Sequence, residues 1–141
     1  VDPGAPCPRD HQAAQAGAGH GARREIDAVG AGVTSFEVGQ PVFGFDRFGF
    51  GTYAEYKCMP AGGVRGPKPA SLSYEQAAAL PYGGLLALYF LRDRISNGQN
   101  VLVYGASGAV GCAAVQLARH AGAHVTGVCG PAHLGLVRSL G

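Results

Sequence analysis

Nowhere in this sequence do two cysteines stand close together. Cys7, Cys58, Cys112 and Cys129 are far apart, with no CxxC pair among them, so neither a zinc knuckle nor a disulfide framework is expected, and all four read as free thiols. Charge is scarce too. Asp, Glu, Lys and Arg make up 14% of the chain and the net charge is +2, which leaves no electrostatic footprint for nucleic acid. The longest apolar stretches, such as LLALYFL, fall far short of the about 20 residues that a membrane-spanning helix needs. No basic start followed by an apolar segment marks the N-terminus as a secretory signal. These absences lead to the expectation of a soluble, cytoplasmic protein with neither nucleic acid nor membrane as partner.

Apolar residues are plentiful at 47%, and 24 of the 141 residues are glycine, a balance that fits a globular, turn-rich chain long enough for one domain. Residues 1–23 mix Pro, Ala, Gly and His without helical or strand periodicity, so little fixed structure is expected there. From Glu25 onward the pattern is that of short strands between Gly turns. EIDAVGAGV reads as one strand. PVFGF reads as a second, with Pro41 confined to a first or edge position. GTYAEYKCM alternates Tyr53, Glu55 and Lys57 with Ala54, Tyr56 and Cys58, the period of a third. A connector of two helices is expected over residues 72–98. Ser73 and Gln76 form a capping box for the first helix, Pro81 closes it, and GGLLALYFLRDR begins the second with Leu85, Leu88 and Tyr89 along one stripe.

The C-terminal part carries the chemistry. Val101, Leu102, Val103 and Tyr104 form a continuous apolar run, the habit of a parallel strand covered on both faces. Val110, Ala113, Ala114, Leu117 and Ala118 then line one face of a helix. Gly122 supplies a left-handed cap, and AHVTGVC is a second strand. Strand, turn, helix and strand make a βαβ unit, which places the chain in the α/β class.

In the turn, Ala106, Gly108 and Gly111 occupy the three slots of G-x-G-x-x-G. The second slot needs a missing side chain so that backbone can approach a pyrophosphate, and the third allows close contact of helix and strand. The helix start offers free amides and a positive dipole end to that anion. Ala106, Ser107, Gly108, Ala109, Val110 and Gly111 are therefore the candidate cofactor-binding residues; a ligand-free turn of small residues is the alternative reading. No GK[ST] follows, which argues against a mononucleotide P-loop. About 20 residues on, an acid would hold the ribose hydroxyls of NAD. VTGVCGPAHLGLVRSLG contains no acid, and its absence leaves room for a 2′-phosphate, so NADP is favoured over NAD. His133 and Arg138 are candidate phosphate partners, Arg138 fitting a solvated helix face equally well.

AVGAGVTSFEVGQPVFGF, GTYAEYKCMP, AAALPYGGLLALYFL and VLVYGASGAVGCAAVQLARHAGAHVTGV follow one another in the order and spacing of the medium-chain dehydrogenase/reductase superfamily. The chain most resembles the zinc-independent quinone oxidoreductase (zeta-crystallin-like) branch, over roughly residues 25–141. The resemblance implies a partial GroES-like, β-rich catalytic domain over 24–80, a connecting helix over 81–99 and the first βαβ unit of a Rossmann domain over 100–141. It also implies NADPH as hydride donor to a quinone, enone or other electron-poor small-molecule acceptor. Because members are more than twice this length, it implies a fragment whose activity alone is in question; a homodimer is expected of the full-length protein. A zinc-type alcohol dehydrogenase relative and a non-catalytic nucleotide-binding fragment are the alternatives. In zinc-dependent relatives a Gly-His-Glu motif precedes the first matched strand. Here GHG puts His20 in the histidine slot with Gly21 replacing the acid, and LPYGG stands where a second cysteine would, so no metal site is expected. The chain also carries Arg23-Arg24 where Ala-Gly is usual, and Leu86 where relatives have Thr beside the nicotinamide.

Hydride transfer to a conjugated acceptor needs positioning and a donor to the developing oxyanion rather than a nucleophile, so no catalytic residue is singled out. FGFDRFGFGTYAEY is the candidate substrate wall, with Phe48 placed to stack on a planar acceptor and Tyr53 to donate a hydrogen bond. The same aromatics, and Tyr82, would serve equally as core.

Overall fold

A computed structural model of the chain describes residues 21–45, 57–59 and 61–141. The chain divides into two compact units, Val1–Pro81 and Tyr82–Gly141.

In the first unit, β1 (Gly21–Glu25), β2 (Pro41–Phe45) and β3 (Val64–Pro67) form an antiparallel sheet in the order β1-β2-β3. PVFGF is a strand, as expected. Pro41 is tolerated in this central strand because it stands first, opposite Glu25, while its carbonyl accepts from the Lys68 amide at 2.8 Å. The strand expected from EIDAVGAGV lies earlier, at Gly21–Glu25. Beyond Glu25 the chain turns away, with Gly32 and Gly39 at φ 85° and 80°, and returns through Gly39 N–H to the Ile26 carbonyl at 2.7 Å. The strand β3 was not anticipated: VRGP carries neither alternation nor a β-branched run. Of the strand expected over residues 51–59, residues 51–56 lie outside the described residues, and Lys57, Cys58 and Met59 are not in a strand. Cys58 is disulfide-bonded, which corrects the expectation of four free thiols, whereas Cys112 and Cys129 are free and half-buried. Sequence spacing says nothing about which distant cysteines meet in space, and that is why the bond was not legible.

The connector is one helix, α1 (Tyr74–Leu91), not two. It starts as the capping box requires: Ser73 N–H donates to Gln76 Oε1 at 2.8 Å and Gln76 N–H to Ser73 Oγ at 3.2 Å. Lys68 Nζ donates to the Leu72 carbonyl and lies 5.1 Å from the Tyr74 ring centroid. Tyr74 OH meets Glu25 at 3.1 Å, tying the first turn of α1 to the end of β1. Pro81 does not close the helix but sits inside it, buried. It forgoes the bond to the Ala77 carbonyl, and helix-forming Ala and Leu on both sides carry the helix through. The end comes at Leu91, where Asp93 takes a left-handed φ of 61°. Leu85, Leu88 and Tyr89 are 39%, 44% and 72% exposed, so the expected stripe is not the buried one; Ala77, Gly83 and Ala87 are buried instead.

In the second unit, β4 (Asn100–Tyr104) and β5 (His124–Val128) pair in parallel, Val101 opposite Val125 and Val103 opposite Gly127. They are joined by α2 (Ala109–His120). Beyond β5, a short 3-10 turn (Pro131–His133) leads into α3 (Leu134–Ser139). The core gathers Ala87, Val103, Ala106, Ala114 and Val115, with Val101, Val110, Leu117, Val125 and Val137 packed against it. The buried face of α2 is Gly111, Ala114, Val115 and Ala118. It is rotated slightly from the expected face, so that Val110, Ala113 and Leu117 form its half-buried flank. As expected, Gly122 caps α2 at φ 81°. Its amide donates to the Arg119 carbonyl at 2.9 Å and that of Ala123 to Ala118 at 3.0 Å, the paired bonds of a Schellman end.

The strand β4 is not covered on both faces. Val101 and Val103 face the core, whereas Leu102 and Tyr104 are 68% and 87% exposed. The sequence of β4 could not reveal this, because all four of its apolar residues look alike whichever face is covered.

Candidate functional site

The turn between β4 and α2 is held to the neighbouring strand by its backbone. Gly105, at φ 76°, and Ala106 both donate their amides to the Val128 carbonyl, at 3.0 and 2.9 Å. Gly108 N–H then closes onto the Gly105 carbonyl at 3.0 Å, and Cys112 N–H onto the Gly108 carbonyl at 2.8 Å begins the helix. The C-terminal end of β5 and the N-terminus of α2 thus lie side by side, the place where open α/β sheets receive ligands.

The six predicted cofactor residues separate into two groups. Ala106 is fully buried with its amide spent on Val128, and Gly111 is buried. A Cβ on Gly111 would fall 2.8 Å from both Ala106 Cα and the Gly105 carbonyl carbon, so these two residues hold the turn rather than face an opening. Gly108 and Ala109 are exposed, and Ser107 and Val110 are half-buried. Gly108 is the N-cap of α2, and no side chain caps the helix. The amides of Ala109, Val110 and Gly111 belong to its first turn, where an α-helix leaves its donors without intrahelical partners.

Gly108 is informative because the fold does not require it. Its φ and ψ are −78° and 167°, extended backbone that any residue adopts. A Cβ there would meet only the Gly105 carbonyl oxygen, at 3.4 Å. Ser, Asp or Asn would cap the helix better than glycine, though only by roughly a few tenths of a kcal/mol. A bare N-cap with room in front of it fits an anion brought close to backbone amides, and the residues present therefore fit the diphosphate of a dinucleotide.

The site has a further wall that sequence reasoning missed. A Cβ on Gly83 of α1 would lie 2.8 Å from the Ala109 carbonyl carbon, so α1 touches the first turn of α2 through backbone. Two adjacent glycines inside a helix were the available signal, since each needs a reason to be there. Past β5, Cys129 is half-buried, while His133 and Arg138 are exposed; no acid follows the strand. Phe48 and Tyr53 lie outside the described residues, as does His20; Tyr82 is 47% exposed. Among the described residues no three His, Cys, Asp or Glu side chains cluster as a metal site would require, and no helix is long and apolar enough to cross a membrane.

No family model matches the chain. It is 41% identical over 123 residues to the polyketide synthase GfsB of Streptomyces halstedii, covering 86% of this chain and 2% of that protein. It is 42% identical over 97 residues to the mitochondrial NAD(P)H oxidoreductase RTN4IP1 of Bos taurus, covering 64% of this chain and 24% of that one. Among solved structures, the quinone oxidoreductase of Coxiella burnetii superposes with a TM-score of 0.79 at 32% identity, over 89% of this chain and 40% of that one. The chain thus spans well under half the length of the relatives it matches. Quinone oxidoreductases, enoyl reductases and alcohol dehydrogenase-superfamily proteins recur among its other relatives and structural neighbours, so the proteins that the chain resembles are those of the medium-chain dehydrogenase/reductase superfamily.

Proposed function

We propose that this chain carries the dinucleotide-binding turn of an NADPH-dependent oxidoreductase that passes hydride to a quinone or another conjugated carbonyl acceptor. In this reading residues 24–80 are part of a GroES-like catalytic domain, 81–99 the connecting helix and 100–141 the first βαβ unit of a Rossmann domain. The observation that carries it is the bare N-cap at Gly108, glycine where neither backbone conformation nor packing asks for one. The names of relatives, an NAD(P)H oxidoreductase and quinone oxidoreductases, supply the class of cofactor and acceptor.

When bound, the nicotinamide supplies the hydride. The chain's own residues bind and orient. The amides of Ala109 and Val110 donate to the diphosphate, and Gly108 lets it approach. The stretch after β5, free of Asp and Glu, takes a 2′-phosphate without repulsion. Phe48 would stack on the planar acceptor, and Tyr53 would donate a hydrogen bond to the oxygen on which charge develops. No metal is invoked, and a homodimer of the full-length protein belongs to the same reading. The likeness to a polyketide synthase over 86% of the chain and to the CurK enoyl reductase favours a second acceptor, a 2-enoyl thioester, whose conjugated carbonyl takes hydride in the same way.

Fluorescence titration with NADPH and NADH, followed by turnover assays on a quinone and on a 2-enoyl thioester, tests this. Tighter binding of NADPH is expected. Equal affinities would remove the cofactor preference, and no binding of either would remove the whole reading.

A further inference from the structure

The helix α1 carries two consecutive glycines, Gly83 and Gly84, in its interior. Their surroundings differ. A Cβ on Gly84 would meet nothing within 4 Å, whereas one on Gly83 would fall on the backbone of the first turn of α2, 2.8 Å from the Ala109 carbonyl carbon and 3.4 Å from the Val110 amide nitrogen. Gly83 is buried, and Ala87, one turn further along the same face, is buried in the core with Val103, Ala106, Ala114 and Val115. Backbone therefore rests on backbone at the turn whose amides line the candidate cradle.

We propose that Gly83 is a positioning residue for the diphosphate cradle; this rests on the dinucleotide reading above and deepens it. The atoms facing Gly83 are main chain, and no flexible side-chain end can swing aside to admit a methyl group. Any side chain at this position must displace α1 or the first turn of α2, and that turn aims the amides of Ala109 and Val110. Hydrogen bonds weaken steeply as the donor angle departs from linear, so a small displacement costs affinity for the anion held by those amides. Groups recognised elsewhere on the nucleotide are unaffected. Gly84, one residue along the same helix with open space before it, bears on nothing in the cradle.

The test compares Gly83→Ala with Gly84→Ala in titrations with NADPH and with adenosine 2′-phosphate, which lacks the diphosphate. Gly83→Ala is expected to weaken NADPH about tenfold, the scale of one charge-assisted hydrogen bond, while adenosine 2′-phosphate binds as to the parent protein. Gly84→Ala is expected to change neither. Unchanged NADPH affinity in Gly83→Ala, or equal loss for both ligands, overturns the proposal. If Gly83→Ala does not fold, amide NMR of the parent protein decides. NADPH should shift the Gly83 resonance together with those of Ala109 and Val110, and a stationary Gly83 overturns the proposal. The two readings fail differently: NADPH binding weakened by Gly108→Val but indifferent to Gly83→Ala sinks only the role of Gly83, whereas a parent protein that binds no NADPH sinks both.

Discussion

A Cβ on Gly111 would press against Ala106 Cα and the Gly105 carbonyl carbon at 2.8 Å, while one on Gly108 would reach only the Gly105 oxygen at 3.4 Å. The two glycines of one motif therefore make opposite predictions. Gly111→Ala overpacks a backbone contact between α2 and the turn and should cost about 1–3 kcal/mol of stability in urea unfolding. Gly108→Val should cost no more than the about 1 kcal/mol of a poorer N-cap, yet weaken NADPH tenfold or more, because its branched side chain fills the space before the first-turn amides. A Gly108→Val protein that binds NADPH normally would remove the cradle from Gly108. The slots of this motif were legible in the sequence because they are a matter of residue type and spacing. What the sequence did not reveal is that the Ala106 amide is spent on the Val128 carbonyl. That bond depends on the register of β4 against β5, which no local pattern encodes.

At the scale of elements, α1 shows where local rules hold and where they yield. Ser73 and Gln76 satisfy each other's backbone donors, a device written entirely within four residues and so readable in advance. Ser73→Ala should cost about 1 kcal/mol, seen as a lower unfolding midpoint of the unit that contains residues 1–81. Pro81 is the opposite case. Its rule concerns a lost hydrogen bond and a ring clash, about 3 kcal/mol in an isolated helix, yet the helix runs on through it with Pro81, Gly83 and Ala87 buried. That burial depends on tertiary neighbours absent from the local sequence. Gly84→Ala isolates the propensity term, since the added methyl group meets nothing within 4 Å. It should stabilise the protein by about 0.5–1 kcal/mol, and destabilisation would show that the space before Gly84 is not open.

For the molecule as a whole, the division at Pro81 and Tyr82 places every residue of the candidate cradle, from Gly83 through Ala109 to Val128, in one unit, Tyr82–Gly141. A ligand that binds only the folded form of that unit stabilises it by mass action, by about 2.7 kcal/mol at a concentration of 100 times its dissociation constant. Amide hydrogen exchange resolves where such stabilisation falls, because each amide reports the opening of its own cooperative unit. NADPH should therefore slow exchange in β4, α2 and β5, whose amides share the core of Val103, Ala114 and Val115. The strands β1 and β2 belong to the other unit and should exchange at their ligand-free rates. If NADPH is preferred as proposed, NADH at the same concentration should protect the same amides less, since no acid follows β5 to hold its ribose. Protection by NADPH confined to the β1–β3 sheet would place the nucleotide away from the α2 N-terminus and overturn the site.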